Sequence, residues 1–544
     1  MKILKYQLDK EIQSVLKKLF SQKVNFSLMN SRNMKFGDLS CNAPLLLTKK
    51  LKKSPIEIGE KIINELNKIN LDSVKIITLT NPGFINFKIK NCFFQSKINT
   101  ILLKNKNYGR NTIGKGKTAN VEFVSANPTG PLTIGHGRNA ILGDSISNIL
   151  EWSGYKVTRE YYFNNAGRQM RILGESVKAR YFQILGINTK FPDEGYQGSY
   201  IKEIAEKIIL KYGEKLDHKD SKFKDEAEIM IFKQIKSTLK KLEINFDQFT
   251  NEKTFYENGD IESLLSKLNK KKLLYQKNGA TWFKTTTLGK EKDRVYIKKS
   301  GEPTYRVPDT AYHKNKIDRG FDLIIDIFGT DHADAYPDVL SALKAINLKT
   351  DHIKVLLYQF VTLLKNGKKY KMSTRKANFV TMDELIKEVG SDVIRFFFVM
   401  RSMNTHLDFD ISLAKDQSEK NPVFYLQYAY ARISSIIKRG NQLKINLKTE
   451  KLYKKLSHPS EILLLKHMII FPEIIENCHD NLEPQNIANY LQELATRFHK
   501  FYAKCRVISD DKDISKARLG LILAVKNIMA NGLKILGISA PEKM

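Results

Sequence analysis

Cysteine, tryptophan and proline are scarce in this chain: its 544 residues include 4, 2 and 14 of them. Cys41, Cys92, Cys478 and Cys505 are scattered, with no CxxC pair and no histidine at ligand spacing, so they offer neither a disulfide framework nor a zinc site and read as reduced structural thiols. Long apolar runs are also missing. The longest, around Val393 to Met400, is flanked by charges and falls short of the roughly 20 residues that cross a bilayer. The opening MKILKYQLDKEIQS has no apolar stretch fit for a secretory signal. A soluble, cytoplasmic protein without a membrane partner is expected. Acidic residues are short as well: 58 stand against 91 Lys and Arg, a net charge of +33. Such a surplus attracts polyanions, nucleic acid foremost. Lysine in excess over arginine, with abundant Asn and Ile, is equally what an AT-rich genome gives any protein, so charge alone leaves both readings open.

What is present is enough apolar material, 42% of residues, to fill the two to four cores that this length predicts. Residues 1–112 read as a compact α+β domain. Ile12, Val15, Leu16 and Leu19 mark an amphipathic helix, Val74 to Thr80 a strand, Pro82-Gly83 a turn, and Phe84, Ile85, Phe87 and Ile89 a second strand. Asn111 to Thr118, NTIGKGKT, reads as a linker. Over 113–415 strands and helices alternate: ANVEFVSA, the helix GRNAILGDSISNILEWSGY, then YKVTREYYF, with the pattern resuming at FDLIIDIFG and HIKVLLYQF. That order predicts a parallel sheet, interrupted at about 195–300 by a mainly helical insertion. Residues 416–544 show only helical periodicity and predict an all-α bundle.

Two loops carry chemistry. In ANPTGPLTIGH, Pro128, Gly130, Gly135, His136 and Gly137 form a Gly-rich turn at a helix N-terminus, where unpaired N–H groups and the helix dipole favour phosphate. Taken alone, a structural turn explains it equally well. In GKKYKMSTRKANF, the cations Lys368, Lys369, Lys371, Arg375 and Lys376 make a basic clamp suited to a triphosphate, or in isolation a solvated charge run. Asp309 by itself reads as a helix cap or surface acid.

Together these segments identify a resemblance to arginyl-tRNA synthetases of class I. VEFVSANPTGPLTIGH is similar to that family's HIGH region and KMSTRKANFVTMDEL to its KMSKS region. FNNAGRQM, PTYRVPDTAYH, FGTDHADAYP, HLDFDISLAKDQSEKNPVFYLQYAYARI and the terminal PEKM follow in matching order. The resemblance implies a multidomain α/β protein with a Rossmann-like catalytic domain over 113–415. It implies a tRNA-contacting domain over 1–112 and an anticodon-binding bundle over 416–544. Implied too are a magnesium complex of ATP, L-arginine and tRNA(Arg) as partners, no tightly bound metal, and a monomer.

By the same pattern, Thr133, His136, Lys371 and Arg375 would be catalytic, and Pro128, Gly130, Gly135, Gly137, Gly329, Asp331, His332, Met372 and Ser373 would join His136 and Lys371 around ATP. Glu122, Tyr305 and Asp309 would hold the arginine side chain, with Ser125 and Asn127 near its backbone. A guanidinium is a planar fork of donors, so carboxylates at fixed positions suit it. Asn81, Phe84 and Asn86 would touch the tRNA elbow, although Phe84 in an alternating strand also reads as core. The sequence departs from the family at Thr133, where the first His of HIGH is usual, at Thr374, where a Lys is expected, and at Asn165, in place of Asp. These departures keep open a tRNA-binding protein without turnover. A class I synthetase for another amino acid is the other alternative, disfavoured by the acidic pocket.

Overall fold

The computed structural model describes residues 1–31, 35–369, 380–442 and 450–544. Its centre is a five-stranded parallel sheet in the order Ile353–Tyr358, Leu323–Gly329, Thr118–Glu122, Lys156–Phe163, Gln248–Asn251. The strand Leu323–Gly329, LIIDIFG, is largely apolar because crossover helices cover both faces of such a sheet. The helix Ile134–Trp152, which follows the Gly-rich turn, is buried along almost its whole length, packed between the sheet and the C-terminal bundle. Burial all round it, rather than along one amphipathic stripe, reflects that internal position and encloses Arg138, Asn139, Asp144, Ser145 and Ser147 as well as apolar side chains.

Two expectations need amendment. The helices Ser199–Tyr212 and Lys222–Lys241 do form an added layer against Gly167–Ile184. Within the expected insertion, however, Gln248–Asn251 returns to the central sheet as its edge, parallel to Lys156–Phe163. Its sequence, QFTN, is short and half-exposed, so no hydrophobic alternation announces it. A three-stranded antiparallel sheet, Leu274–Lys277, Ala280–Phe283 and Arg294–Ile297, then closes the insertion over a small core that includes Phe255, Leu264, Phe283 and Tyr296. The segment read as a linker is packed rather than loose. Gly114 N–H donates to the Ser153 carbonyl at 2.9 Å, and a Cβ at Gly114 would lie 1.9 Å from the Tyr155 ring, so glycine is a packing requirement there.

The N-terminal domain has the predicted hairpin, Val74–Thr80 against Phe84–Ile89, inside a four-stranded sheet. It docks on the C-terminal helices: Gln95 donates to the Leu456 carbonyl at 2.7 Å, and Asn531 to those of Asn105 and Tyr108 at 2.9 and 3.0 Å. Those helices, Pro422–Gln442, Pro459–Met468, Phe471–Asn481, Gln485–Lys504 and Lys512–Ile535, form the expected bundle. No helix of the described residues is long and apolar enough to cross a membrane. Arg395, fully buried, ties three parts of the chain together. Its guanidinium bonds the Leu536 carbonyl at 2.8 Å, the Leu242 carbonyl at 2.7 Å and the Asp144 carboxylate. Arg395→Met would leave Asp144 and both carbonyls buried without that donor; the expected cost, about 3–5 kcal/mol, is read as a lowered thermal unfolding midpoint.

Candidate active site

The strand Thr118–Glu122 ends where it does because Val124 and Ser125 adopt left-handed φ values of 67° and 43°. That reversal turns the chain over the C-terminal edge of the sheet, where open α/β folds place ligands. Asn139, one turn into the following helix, fixes it from both sides: its carbonyl oxygen accepts from Val124 N–H at 3.1 Å, and its amide donates to the Ile327 carbonyl at 2.9 Å. Of the three signature glycines, Gly130 lies under the Tyr200 hydroxyl and Gly137 against Met382, so each leaves no room for a side chain. At Gly135 alone does a Cβ meet nothing closer than Thr133 Oγ1, at 3.8 Å. Open space therefore faces the first turn of the helix, beside its unpaired N–H groups.

Thr133 caps that helix, and its backbone N–H donates to Nδ1 of His136 at 3.2 Å. With Nδ1 accepting, a neutral imidazole carries its proton on Nε2. Burial holds the His136 pKa down to about 4, only partly opposed by Asp331, so the ring is a neutral donor at pH 7. Thr133 thus orients the one histidine instead of supplying a second. Arg138, fully buried, donates to the carbonyls of Gln359 at 2.6 Å and of Ser402 and Thr405 at 3.1 Å, fixing the end of the strand Ile353–Tyr358. Lys371, Met372, Ser373, Arg375 and their neighbours Thr374 and Lys376 lie outside the described residues. The chain just beyond them is joined to the Gly-rich loop: Met382 N–H donates to the Leu132 carbonyl at 2.8 Å, and Thr381 pairs with Thr133.

Beside this loop lies an acidic pocket. Asp309 sits in the first turn of the helix Arg306–Asp318, half-buried, and burial pushes its pKa up to about 7; Glu252 and Glu122 add to the rise, while His313 and Lys316 oppose it. Glu252, from the loop after the edge strand, is half-buried and also raised, again by burial. It accepts from the Tyr162 hydroxyl at 2.9 Å and from Asn164 at 2.7 Å. Tyr162 stacks on Tyr312, with centroids 4.3 Å apart, and makes one wall. Neither Asp309 nor Glu252 has a cationic side chain within ion-pairing distance among the described residues, so the site presents two carboxyl groups able to take a cation.

Glu122 lies deeper, 2% exposed, with Oε1 accepting from Ser125 Oγ at 2.8 Å and Oε2 from Lys316. Asn127 is placed by its own bonds, accepting from Asn164 N–H and donating to Gln169, both at 2.9 Å. Tyr305 is 55% exposed at the start of the helix, under the Arg306 guanidinium, and forms the rim rather than the wall.

Gly329 ends its strand beneath Asp331, and His332 stacks on Phe328 at 5.3 Å, both side chains of the turn being exposed. In the N-terminal hairpin, Asn81 is exposed at the turn and Phe84 half-buried. Asn86 is buried, its amide donating to Thr80 Oγ1 at 2.8 Å and to the Phe84 carbonyl, so it holds the hairpin together instead of flanking an exposed ring. Sequence reasoning missed Glu252, Tyr162, Arg138 and Asn139. Only the polar run around Glu252, on a segment taken for insertion, could have pointed to any of them.

This sheet edge and phosphate-facing helix are those of a class I aminoacyl-tRNA synthetase, and residues 97–397 match the family described as tRNA synthetases class I (R), catalytic domain. Residues 6–89 match the arginyl tRNA synthetase N terminal domain, and 426–544 the DALR anticodon binding domain. An arginine–tRNA ligase of Desulfotalea psychrophila is 48% identical over 513 residues, 93% of both chains. One of Salinibacter ruber is 45% identical over 527 residues, 93% of this chain and 94% of that one. The solved arginyl-tRNA synthetase of Thermus thermophilus shares the fold, with a TM-score of 0.76 at 20% identity over 99% of this chain and 100% of that one. The chain belongs to the arginyl-tRNA synthetase family.

Close packing under the site makes one substitution informative. A Cβ at Gly143 would lie 2.2 Å from Cγ of the buried Phe123 ring, adjacent to Glu122. Gly143→Ala is expected to cost about 1–3 kcal/mol and to push the helix off the strand end, measurable as a lower unfolding midpoint with a matching fall in activity.

Proposed function

We propose that the protein activates L-arginine with the magnesium complex of ATP and transfers the arginyl group to the 3′-terminal adenosine of tRNA(Arg). The observation that carries this reading is the pair of carboxyl groups, Asp309 and Glu252, without a cationic partner among the described residues, beside a helix N-terminus open at Gly135. A cationic amino acid would lie between them with its carboxylate directed to the phosphates. Asp309, Glu252 and Glu122 would accept from arginine's two cationic groups, with Tyr305 at the rim and Ser125 and Asn127 near its backbone. An apolar or acidic amino acid would leave those carboxylates buried and unpaired.

Pro128, Gly130, Gly135, His136 and Gly137 would cradle ATP, Gly329, Asp331 and His332 its adenosine side, and Lys371, Met372, Ser373 and Arg375 its phosphates. In the first step a carboxylate oxygen of arginine forms a bond to the α-phosphorus and the bond to pyrophosphate breaks. In the second the terminal ribose hydroxyl attacks the carbonyl carbon, the mixed anhydride breaks, and AMP leaves as the hydroxyl gives up its proton. No protein nucleophile is needed. Positioning and charge stabilisation supply the rate, with Nε2–H of His136 donating to oxygen as negative charge builds. Residues 1–112, with Asn81 and Phe84 foremost, would contact the tRNA elbow, 113–415 would hold the reaction, and 416–544 would meet the anticodon. A cytoplasmic monomer completes the proposal.

Aminoacylation with each radiolabelled amino acid, ATP and total tRNA tests the reading: arginine alone should be charged, and no charging with arginine would overturn it. Glu252→Gln and Asp309→Ala should each raise the arginine KM about 10- to 100-fold while leaving the ATP KM near its starting value. The elevated Asp309 pKa sets a pH dependence whose sign is fixed. Protonated Asp309, dominant below its pKa of about 7, cannot pair with a guanidinium, so the arginine KM should fall with rising pH up to about 7 and level off above it. In Asp309→Asn that slope should vanish.

A further inference from the structure

Three carboxylates stand in register across neighbouring strands of the central sheet: Asp326 beside Glu122, and Glu122 beside Glu160. All three are at most 2% exposed. The helix Arg306–Asp318 and its capping residue Arg319 lay a row of cations over them at intervals of three residues. His313 Nε2 meets Asp326 at 3.0 Å, Lys316 Nζ meets Asp326 at 2.6 Å and also bonds Glu122, and Arg319 meets Glu160 at 2.7 Å. Lys316 is 0% exposed, its ammonium 4.2 Å from the Tyr312 ring. His313 shares Asp326 with it, and the remaining Glu122 oxygen takes a bond from Ser125. Among the described residues, Glu122, His313 and Asp326 are the one cluster of metal-ligating types, and the Lys316 ammonium bonds both of its carboxylates.

We propose that Lys316 is a positioning residue for arginine recognition: by bonding one oxygen of Glu122 it sets that carboxylate's orientation toward the pocket. This rests on the reading of Glu122 as an arginine ligand. The electrostatics support the geometry. Burial raises the Glu122 pKa and neighbouring Asp326 adds to the rise, while Lys316 is the largest opposing influence. Asp326, bonded by both Lys316 and His313, is held well below the ordinary carboxylate range. Without Lys316, Glu122 would keep one hydroxyl donor, a second anion at its side, and strong pressure to take up a proton. A neutral, reoriented Glu122 accepts poorly from a cation. Lys316 never touches substrate in this scheme; it acts through Glu122.

The test is a double-mutant cycle on the full-length enzyme, reading KM for arginine and for ATP separately in aminoacylation. K316M is expected to raise the arginine KM at least about tenfold with the ATP KM changed less than about twofold, and E122Q to do the same. Because Lys316 works through Glu122, the double variant should match E122Q within about twofold. K316M raising both KM values alike, or adding its full effect on top of E122Q, would overturn the proposal and reduce Lys316 to a structural ion. Wild-type arginine KM in E122Q would instead overturn the reading of Glu122 itself, and the proposal with it. If K316M alone does not fold, the double variant removes a buried anion together with the cation, and its comparison with E122Q decides the matter: equal arginine KM supports the proposal, a further tenfold rise sinks it.

Discussion

The row of buried carboxylates across the central sheet is the constraint around which the catalytic half of the molecule is arranged. Burying Asp326, Glu122 and Glu160 side by side would be prohibitive if they were unpaired, since each ionised carboxylate loses its hydration and repels the next. Cations at 313, 316 and 319, three residues apart on one helical face, answer them almost one for one. The arrangement fixes the helix Arg306–Asp318 in rotation and height over the sheet, because a slip of one turn would separate every pair. Asp309, one turn N-terminal to His313, is placed by the same lock: its carbonyl accepts from His313 Nδ1 at 2.8 Å. The placement of Asp309 is therefore inherited from ion pairs that lie below it.

The same row explains why the pocket above can remain acidic. Its lower layer is neutralised within the protein, whereas Asp309 and Glu252 in the upper layer have no cationic partner among the described residues, and burial raises both. Such a site stores unfavourable electrostatic energy that a cationic ligand relieves, and the relief is largest for a planar donor fork. On the proposed reading, discrimination would follow from what other amino acids leave unpaired rather than from tight steric fit.

Much of this architecture was legible in the sequence, and the parts that were not share a physical cause. Alternating apolar strands and helices gave the sheet, and the hairpin from Val74 to Ile89 followed from one Pro-Gly turn between two patterned runs. Local signals of that kind report on neighbours in the chain. Lys316 and Glu122 are 194 positions apart, so nothing near either residue reveals the other. Glu252 was hidden because the edge strand that carries it to the site is four residues of mixed polarity. Asn86 was placed at the tRNA elbow by family resemblance, yet its amide turns inward to the Thr80 hydroxyl across the hairpin. Thr133 stands where the family usually has a histidine; its backbone N–H and its hydroxyl both lie 3.2 Å from Nδ1 of His136 and orient that ring.

Charge is distributed here by function rather than averaged. The chain carries +33 overall, yet the site at its centre gathers the carboxyl groups of Asp309 and Glu252. A field of that sign at long range gathers a polyanion such as tRNA, and falls away within about a Debye length at physiological salt. A small cation gains nothing from it and must be drawn in at short range, which is what uncompensated carboxylates inside a low-dielectric cleft accomplish. The two tasks need opposite signs on one molecule, and the buried cation row is what separates them. It pairs the acids of the sheet internally, so that of the acids gathered at the site Asp309 and Glu252 are the ones left without a cation among the described residues.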